Sequence, residues 1–595
     1  MKINLNFYKE KEEDLTQIEK EIIQKIHENE EEKYQEIIEK DGRLDILQAL
    51  SIIRKNIINW YPFKENSNIL EINTNFGEIT SELCTKAIKV ISIEKSKQKS
   101  EAVSKRLKNI KNLEIIVGNL NDIFLTEKFD YIFINGIEEH EYFLEKYLEF
   151  AKKYLKDGGT ILFTTDNEFG LKTYNINCEN LNNKRNISKN HIKNVLKKLD
   201  LNNYKFYYPL PNYKTPNVIF TDKHMPSQES ILRDLTLYDK NDILVFDERK
   251  KYKEILKEDM KLFELFANSY LVEISDEDNK IEFISFGNSR KEKYRMKTVI
   301  LENIVYKQNV DEKGKEHLEQ IKENIKILKK SNINILDSYE EDKINSKLIR
   351  KEKSLDKVLI NKFQEGKKEE FISLIEKFIL EIREKLEKED NKDIITVFEK
   401  YGIEIDDNMN SKFHYVKYGI YDLIFQNCFY IDNKFYFYDQ EWMERNVPIE
   451  FIIYRSINYL ANLNIEINRE ELYTKFNIAE YIQIFDKLED ILQEQIKDNF
   501  IWKMHASNNT TIKNVYDTQI HYKNLKAQAE IDLLKEQKAK KEEIEIRDKK
   551  ISDLTKELNG IKNSRSWKAT KIFRDIRETM NGERKGIKNG TKKED

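Results

Sequence analysis

Five short apolar runs, each separated from the next by a helical pattern, constrain the fold of this chain more than any other feature. They are Ile69-Leu-Glu-Ile72, Val90-Ile-Ser-Ile93, Leu113-Glu-Ile-Ile-Val117, Tyr131-Ile-Phe-Ile134 and Thr160-Ile-Leu-Phe163. Unbroken runs of this length suit strands covered on both faces, and their spacing leaves room for a crossover helix between neighbours. The pattern predicts an α/β, parallel, doubly wound sheet. In such a sheet a ligand sits over the carboxyl ends of the strands, where the strand order reverses.

The rest of the 595 residues has room for several more units, since a domain takes roughly 100–200 residues. Residues 1–60 read as an N-terminal helical segment, with the apolar-periodic positions Leu44, Ile46, Leu47, Leu50, Ile53 and Ile57 ending at Trp60-Tyr-Pro62. The doubly wound unit is expected at 61–225. Residues 241–340 contain strand-like runs at 281–286, 296–300 and 303–307 and then a helix. Residues 341–510 are mostly helical around one hairpin. At 522–560 the apolar positions Ile544, Ile551 and Leu558 recur every seven residues, which predicts a short coiled coil. Residues 561–595 form a basic tail.

Charged residues make up 35% of the chain and its formal net charge is -4, which argues against a general nucleic-acid binder. The three cysteines, Cys84, Cys178 and Cys428, are far apart, which excludes a cysteine zinc site and fits a reducing compartment. No signal-peptide core and no run near the ~20 apolar residues of a membrane span is present. A cytoplasmic location is expected.

The turn after the first strand reads Glu71-Ile-Asn73-Thr-Asn75-Phe-Gly77. Glycines are usual there because the backbone must approach a ligand, and asparagine tolerates the same left-handed conformation better than other side chains. Glu94 ends the second strand, where a carboxylate can accept bonds from ribose hydroxyls. Asn119 follows the third strand, beside an adenine edge, and Asn135 follows the fourth. This set resembles the class I S-adenosylmethionine-dependent methyltransferases over roughly residues 60–222. The resemblance implies a Rossmann-like methyltransferase domain with S-adenosylmethionine held by Glu71, Asn73, Asn75, Gly77, Glu94, Asn119 and Asn135. The family's usual E/D-x-G-x-G-x-G keeps only Gly77 here. His140 is a candidate base, and no Asn-Pro-Pro-Tyr signature of adenine or glutamine methylation occurs.

A second constellation lies at Asp422-Leu-Ile-Phe-Gln-Asn427 and Asp439-Gln-Glu441, joined by a hairpin-like Cys428–Tyr438. Phosphoryl transfer needs an aspartate to orient the attacking hydroxyl, an asparagine and a second aspartate for metal, and a strand lysine for the phosphates. Asp422 and Lys307 take the catalytic roles, and Asn427 and Asp439 the metal. Glu316 or Glu319 on the next helix would fix Lys307. Ser285-Phe-Gly287-Asn-Ser-Arg290 stands where a glycine-rich loop belongs. The pattern resembles protein-kinase-like small-molecule kinases over roughly 280–500. It implies an α+β kinase-like domain, with N-lobe 241–340 and C-lobe 341–510, that uses ATP and Mg.

A methyltransferase, a kinase-like domain and a C-terminal coiled coil in this order resemble bacterial methyltransferase–kinases that cap O-antigen chains. Arg54–Phe63, Phe206–Tyr213 and Asp439–Trp442 resemble methyltransferase proteins of surface-glycan assembly, and Asn563–Thr570 a terminal segment of polysaccharide glycosyltransferases. The implied acceptor is a saccharide or lipid-linked glycan, with glycosyltransferase partners and self-association through the coiled coil. Trp567, Ile572, Phe573 and Ile576 can share one helical face with basic neighbours, which suits peripheral contact with the inner membrane face. The replaced glycines support a second reading, a catalytically degenerate scaffold that recruits glycosyltransferases.

Overall fold

Each of the five apolar runs becomes a strand. They are β2 (Asn68–Ile72), β3 (Lys89–Glu94), β4 (Leu113–Gly118), β5 (Phe129–Ile134) and β6 (Leu155–Asp166). The computed structural model describes residues 1–10, 15–137, 141–175, 187–228, 246–349, 353–389, 394–461, 467–498, 515–571 and 573–578. The chain divides into two compact units, Met1–Ile512 and Lys513–Asp595.

Strands β2 to β6 pair in parallel in the order β4-β3-β2-β5-β6. Their side chains alternate between two apolar clusters, one on each face. In β5, Tyr131 and Phe133 join the cluster of Leu83, Val103 and Leu107. Ile132 and Ile134 join that of Leu144, Leu148 and Ala151. Burial on both faces is why these runs carry no polar alternation, and each large side chain so buried contributes about 1.5–3 kcal/mol.

The N-terminus departs from the all-helical expectation for 1–60. It begins with β1 (Lys2–Phe7), which pairs in parallel with β4. Helix Gln17–Glu28 then starts at a capping box of Thr16 and Glu19. Helix Tyr34–Asp41 ends at Gly42 in the left-handed region, and helix Leu44–Leu50 leads into the 3-10 turn Ile52–Ile57.

The sheet does not stop at residue 225. β7 (Tyr204–Leu210) and β8 (Val218–Thr221) extend it, with β9 (Ser269–Ile274) inserted antiparallel between β6 and β7. β8 then pairs with β10 (Ile281–Phe286). Next come β11 (Met296–Leu301), β12 (Ile304–Asn309), β13 (Ser338–Tyr339) and β14 (Ile344–Lys347). Among the described residues the result is one fourteen-stranded sheet, β1-β4-β3-β2-β5-β6-β9-β7-β8-β10-β11-β12-β14-β13. The division expected between 225 and 241 therefore falls inside a continuous ladder. β9, placed by sequence with the later unit, belongs among the earlier strands because all six of its residues are buried there.

After helix Lys315–Lys330, which lies between β12 and β13 in the chain, residues 355–496 build a mainly helical body. Phe378, Phe398, Phe425, Phe451 and Phe485 lie in its core. β15 (Tyr415–Ile420) leads into the Asp422 loop, β16 (Cys428–Ile431) and β17 (Lys434–Phe437) form the expected hairpin, and β18 (Met443–Pro448) returns to pair with β15. In the second unit, Val515–Asn563 is one helix whose Ile544, Ile551, Leu554 and Leu558 are exposed. Among the described residues no helix is long and apolar enough to cross a membrane.

The β15/β18 pair leaves no room at Gly419, where an added Cβ would lie 2.4 Å from Val447 Cβ and 2.7 Å from its Cγ2. Gly419→Ala is expected to destabilise the first unit by about 1–3 kcal/mol through overpacking. The loss is read as a lower urea midpoint with an unchanged slope.

Candidate functional site

The strand order reverses at β2, which neighbours β3 on one side and β5 on the other. A crevice at the carboxyl ends follows from that topology. The turn that enters it has Asn73 at φ 66°, Asn75 at φ 53° and Gly77 at φ 79°. Asparagine thus keeps the left-handed turn that glycine usually supplies. A Cβ at Gly77 would lie 2.9 Å from Val103 Cγ1, so this position admits no side chain without movement.

Each Asn is fastened. Asn73 Nδ2 donates to Gly136 O (2.8 Å), and its Oδ1 accepts from the Tyr147 hydroxyl (3.2 Å). The Asn75 N–H donates to Glu94 Oε2 (2.9 Å), while Ser96 N–H donates to Glu94 Oε1 (3.0 Å). Burial pushes the Glu94 carboxyl upward. Each of its oxygens still has a lone pair for a ligand hydroxyl. Asn119 is exposed at the end of β4.

Glu71 departs from the expectation. It is 0% exposed and sits beneath the turn, with Oε2 accepting from Thr80 (2.7 Å) and Ser92 (2.5 Å). Burial pushes it up to about 8, which favours the neutral acid at pH 7. Its bonds tie the end of β2 to β3 and to the helix Thr80–Lys86, and its Oε1 is buried without a hydrogen-bond partner among the described residues.

Arg54 entered the sequence reading as the start of the Arg54–Phe63 piece, with no role at the site. The turn Ile52–Ile57 carries it into the interior, where Nε donates to Glu78 Oε1 (3.1 Å), Nη2 to Asn135 Oδ1 (3.0 Å) and Nη1 to Tyr213 O (3.4 Å). Glu78 Oε2 and Asn135 Nδ2 are buried without a hydrogen-bond partner among the described residues. Arg54, Glu78 and Asn135 thus form a buried charged cluster with capacity left over, which is unusual for satisfied core groups. His140, the candidate base, lies outside the described residues.

The second constellation converges in space. Lys307, on β12, forms ion pairs with both Asp439 and Glu441. Burial alone would lower its pKa, but those two carboxylates raise it above the usual lysine value. Asp439 holds φ 60°, and its N–H donates to Asp337 Oδ2 (2.8 Å). Burial, with the Asp439 charge beside it, pushes Asp337 up to about 6. Asn427 Nδ2 donates to the carbonyls of Asp422 and Asp439, each at 3.3 Å, which turns its amide oxygen the other way.

Glu441 carries more of this site than its motif position implies. Arg290 and Lys307 both pair with it, and His317 Nε2 lies 3.7 Å away. Burial pushes Glu441 up, but Arg290 and Lys307 outweigh it and hold the carboxyl well below the usual range. Neither Glu316 nor Glu319, the helix carboxylates expected for Lys307, pairs with it among the described residues. Glu316 and Glu319 are both exposed, and Glu319 pairs with Lys322. His317 faces inward instead, stacked on Trp442 with ring centroids 4.5 Å apart.

Asp422 is occupied where a free base was expected. Its Oδ2 accepts the N–H groups of Glu441 (3.0 Å) and Trp442 (3.1 Å), and Arg455 lies 3.5 Å from Oδ1. Burial pushes it up to about 7 against the pull of Arg455. In this arrangement it ties the Asp439–Trp442 segment to the loop. Among the described residues no three His, Cys, Asp or Glu side chains form a ready metal site. Asn427 and Asp439 supply two protein ligands at most, a number that suits Mg, which relies on substrate phosphates and water for the rest.

Comparison with known proteins concerns only the first site. Residues 63–210 match the family model described as a methyltransferase domain, so this stretch carries a methyltransferase domain. No curated protein matches the chain. Among solved structures, Haemonchus contortus phosphoethanolamine N-methyltransferase 1, with phosphoethanolamine and S-adenosylhomocysteine, is similar at 17% identity over 23% of this chain and 32% of its own, with a TM-score of 0.20. The N-methyltransferase NodS of Bradyrhizobium japonicum WM9 is similar at 18% identity over 20% of this chain and 66% of its own, with a TM-score of 0.17. The glycopeptide N-methyltransferase MtfA is similar at 19% identity over 20% and 54%, with a TM-score of 0.18. The chain thus spans less than two thirds of the phosphoethanolamine enzyme.

Proposed function

We propose that this chain is an S-adenosylmethionine-dependent methyltransferase of bacterial surface-glycan assembly, with an appended kinase-like unit, acting on a saccharide or lipid-linked saccharide. The observation that carries the methyltransferase half is the glycine-type turn kept by Asn73, Asn75 and Gly77 at the switch point, within the stretch that matches a methyltransferase domain. The donor set fits the cofactor. Arg54 suits a carboxylate, the spare oxygen of Glu78 an ammonium group, and Glu94 a ribose diol. S-adenosylmethionine, when bound, supplies an electrophilic methyl group. The residues named here orient it, and burial strengthens their charges.

The kinase-like reading draws on Lys307, Asn427 and Asp439 converging and on the β10-β11-β12-β14-β13 order with a helix between β12 and β13. In that reading Lys307 holds phosphates, Asn427 and Asp439 hold Mg, and the acid Asp422 must let go of part of its backbone tie to meet an acceptor hydroxyl. A specific observation favours the scaffold as a second reading. Arg54 bonds to Glu78, Asn135 and the Tyr213 carbonyl, and Glu94 and Asp422 both spend carboxylate oxygens on backbone N–H groups. The exposed apolar positions of Val515–Asn563 and the exposed Phe573 and Ile576 support self-association and contact with the inner membrane face. Ile572, expected on the same face, lies outside the described residues.

Calorimetry is expected to detect S-adenosylmethionine binding to the full chain. Arg54→Ala or Glu94→Ala should weaken it about 10–100-fold, the usual loss for a hydrogen bond to a charged group. Absence of binding to the unaltered chain would favour the scaffold. Asp439→Ala should abolish Mg-dependent ATP turnover, and unchanged turnover would reject the metal assignment. A chain ending at residue 521 should sediment as a monomer and fail to float with anionic liposomes, whereas the full chain should self-associate and float. Equal behaviour of the two would remove both roles from the C-terminal helix.

A further inference from the structure

A loop that cradles phosphates usually does so with free backbone N–H groups, which glycines leave open to the ligand. The loop between β10 and β11 has spent several of its donors. Gly287 N–H donates to Met296 O, Arg290 N–H to Gly287 O, and Lys291 N–H to Ile496 O. It is also held from outside. Asn56 Nδ2 donates to Asn288 Oδ1 (2.7 Å), Asn288 Nδ2 donates to Pro216 O (2.9 Å), and Asp498 N–H donates to Ser289 O (2.8 Å). Arg295 adds a buried ion pair to Asp498 at 2.9 Å. A loop fixed at so many points has little freedom to fold over a ligand.

What the loop does deliver is one cation. The Arg290 side chain reaches Glu441, lies 5.4 Å from the centroid of the Trp442 ring, and keeps 29% of its surface exposed. Glu441 has a second cation. Lys307, which it shares with Asp439, also pairs with it, so the carboxylate keeps a partner when Arg290 turns away. A buried carboxylate left with no partner would cost several kcal/mol, and the second cation removes that obstacle.

We propose that Arg290 is a second phosphate-binding group of this site, beside Lys307, gripping the polyphosphate of a nucleoside triphosphate with its guanidinium in place of a glycine-rich backbone cradle. The planar fork suits two phosphate oxygens at once, which lysine cannot match. The inference rests on the kinase-like reading above, and deepens it by naming the group that replaces the missing glycines.

Titration calorimetry on the full chain tests it, with Mg-ATP, adenosine and inorganic tripolyphosphate as probes. Arg290→Gln is expected to raise the Mg-ATP Kd at least tenfold and leave the adenosine Kd unchanged, while Arg290→Lys falls between. Tripolyphosphate should compete with ATP on the unaltered chain. An Arg290→Gln chain that binds ATP as tightly as the parent overturns the assignment. So does one that loses adenosine and ATP in equal measure, since that marks a structural role for Arg290. A parent chain that binds neither ATP nor adenosine overturns the kinase-like reading itself, a different result from either of these.

Discussion

One backbone hydrogen-bond ladder runs from β1 to β13, and both candidate sites are positioned by it. Neighbouring strands are held ~4.8 Å apart by that ladder, so the position of each strand in the order fixes what its ends can reach. The first crevice exists because the chain leaves β2 for β3 and β4 on one side and then crosses back to β5 on the other. The second site exists because β12 presents Lys307 toward the segment after β17. β9 is the hinge of this plan, since its antiparallel insertion ends the parallel series and every later pairing is antiparallel.

Much of the sheet was legible in the sequence because burial on both faces writes itself as unbroken apolar runs. The turn of Asn73, Asn75 and Gly77 and the hairpin of β16 and β17 were legible for a related reason: each depends on local backbone chemistry. β1 and β9 were not. Their partners lie more than a hundred residues away, at Glu114 for Lys2 and at Leu162 for Glu273, and no local pattern names a remote partner. Arg54 was given no site role because a cation within an apolar helical stretch reads as a surface position. Only the convergence of Glu78, Asn135 and Tyr213 gives it another meaning. The inward turn of His317 was legible but overlooked. Ile321, Ile325 and Leu328 mark the buried face of its helix. The helical period puts position 317 on that face and 316 and 319 away from it.

The two sites solve the burial of charge differently. Around Arg54 one guanidinium serves Glu78, Asn135 and a carbonyl, and the surplus lies with the acceptors and amide it leaves unfilled. Around Glu441 two cations and two carboxylates interlock, with Lys307 bridging Asp439 and Glu441 and Arg290 adding a second contact to Glu441. Buried ion pairs add little net stability once desolvation is counted. Asp422 holds the Glu441 segment through two backbone N–H groups, so the geometry of the second cluster depends on a carboxylate outside it.

β8 is the seam between the earlier and the later strands of the sheet. It is four residues long and stitches β7 to β10, with only Ile219 and Val218 in register with Ile284 and Ser285. A gene cut anywhere between 225 and 280 would strip one neighbour from this short seam and bare an apolar strand edge in each product. Bare edges recruit one another. Fragments made to study either half alone would therefore tend to precipitate, and assays are better built on point variants of the intact polypeptide.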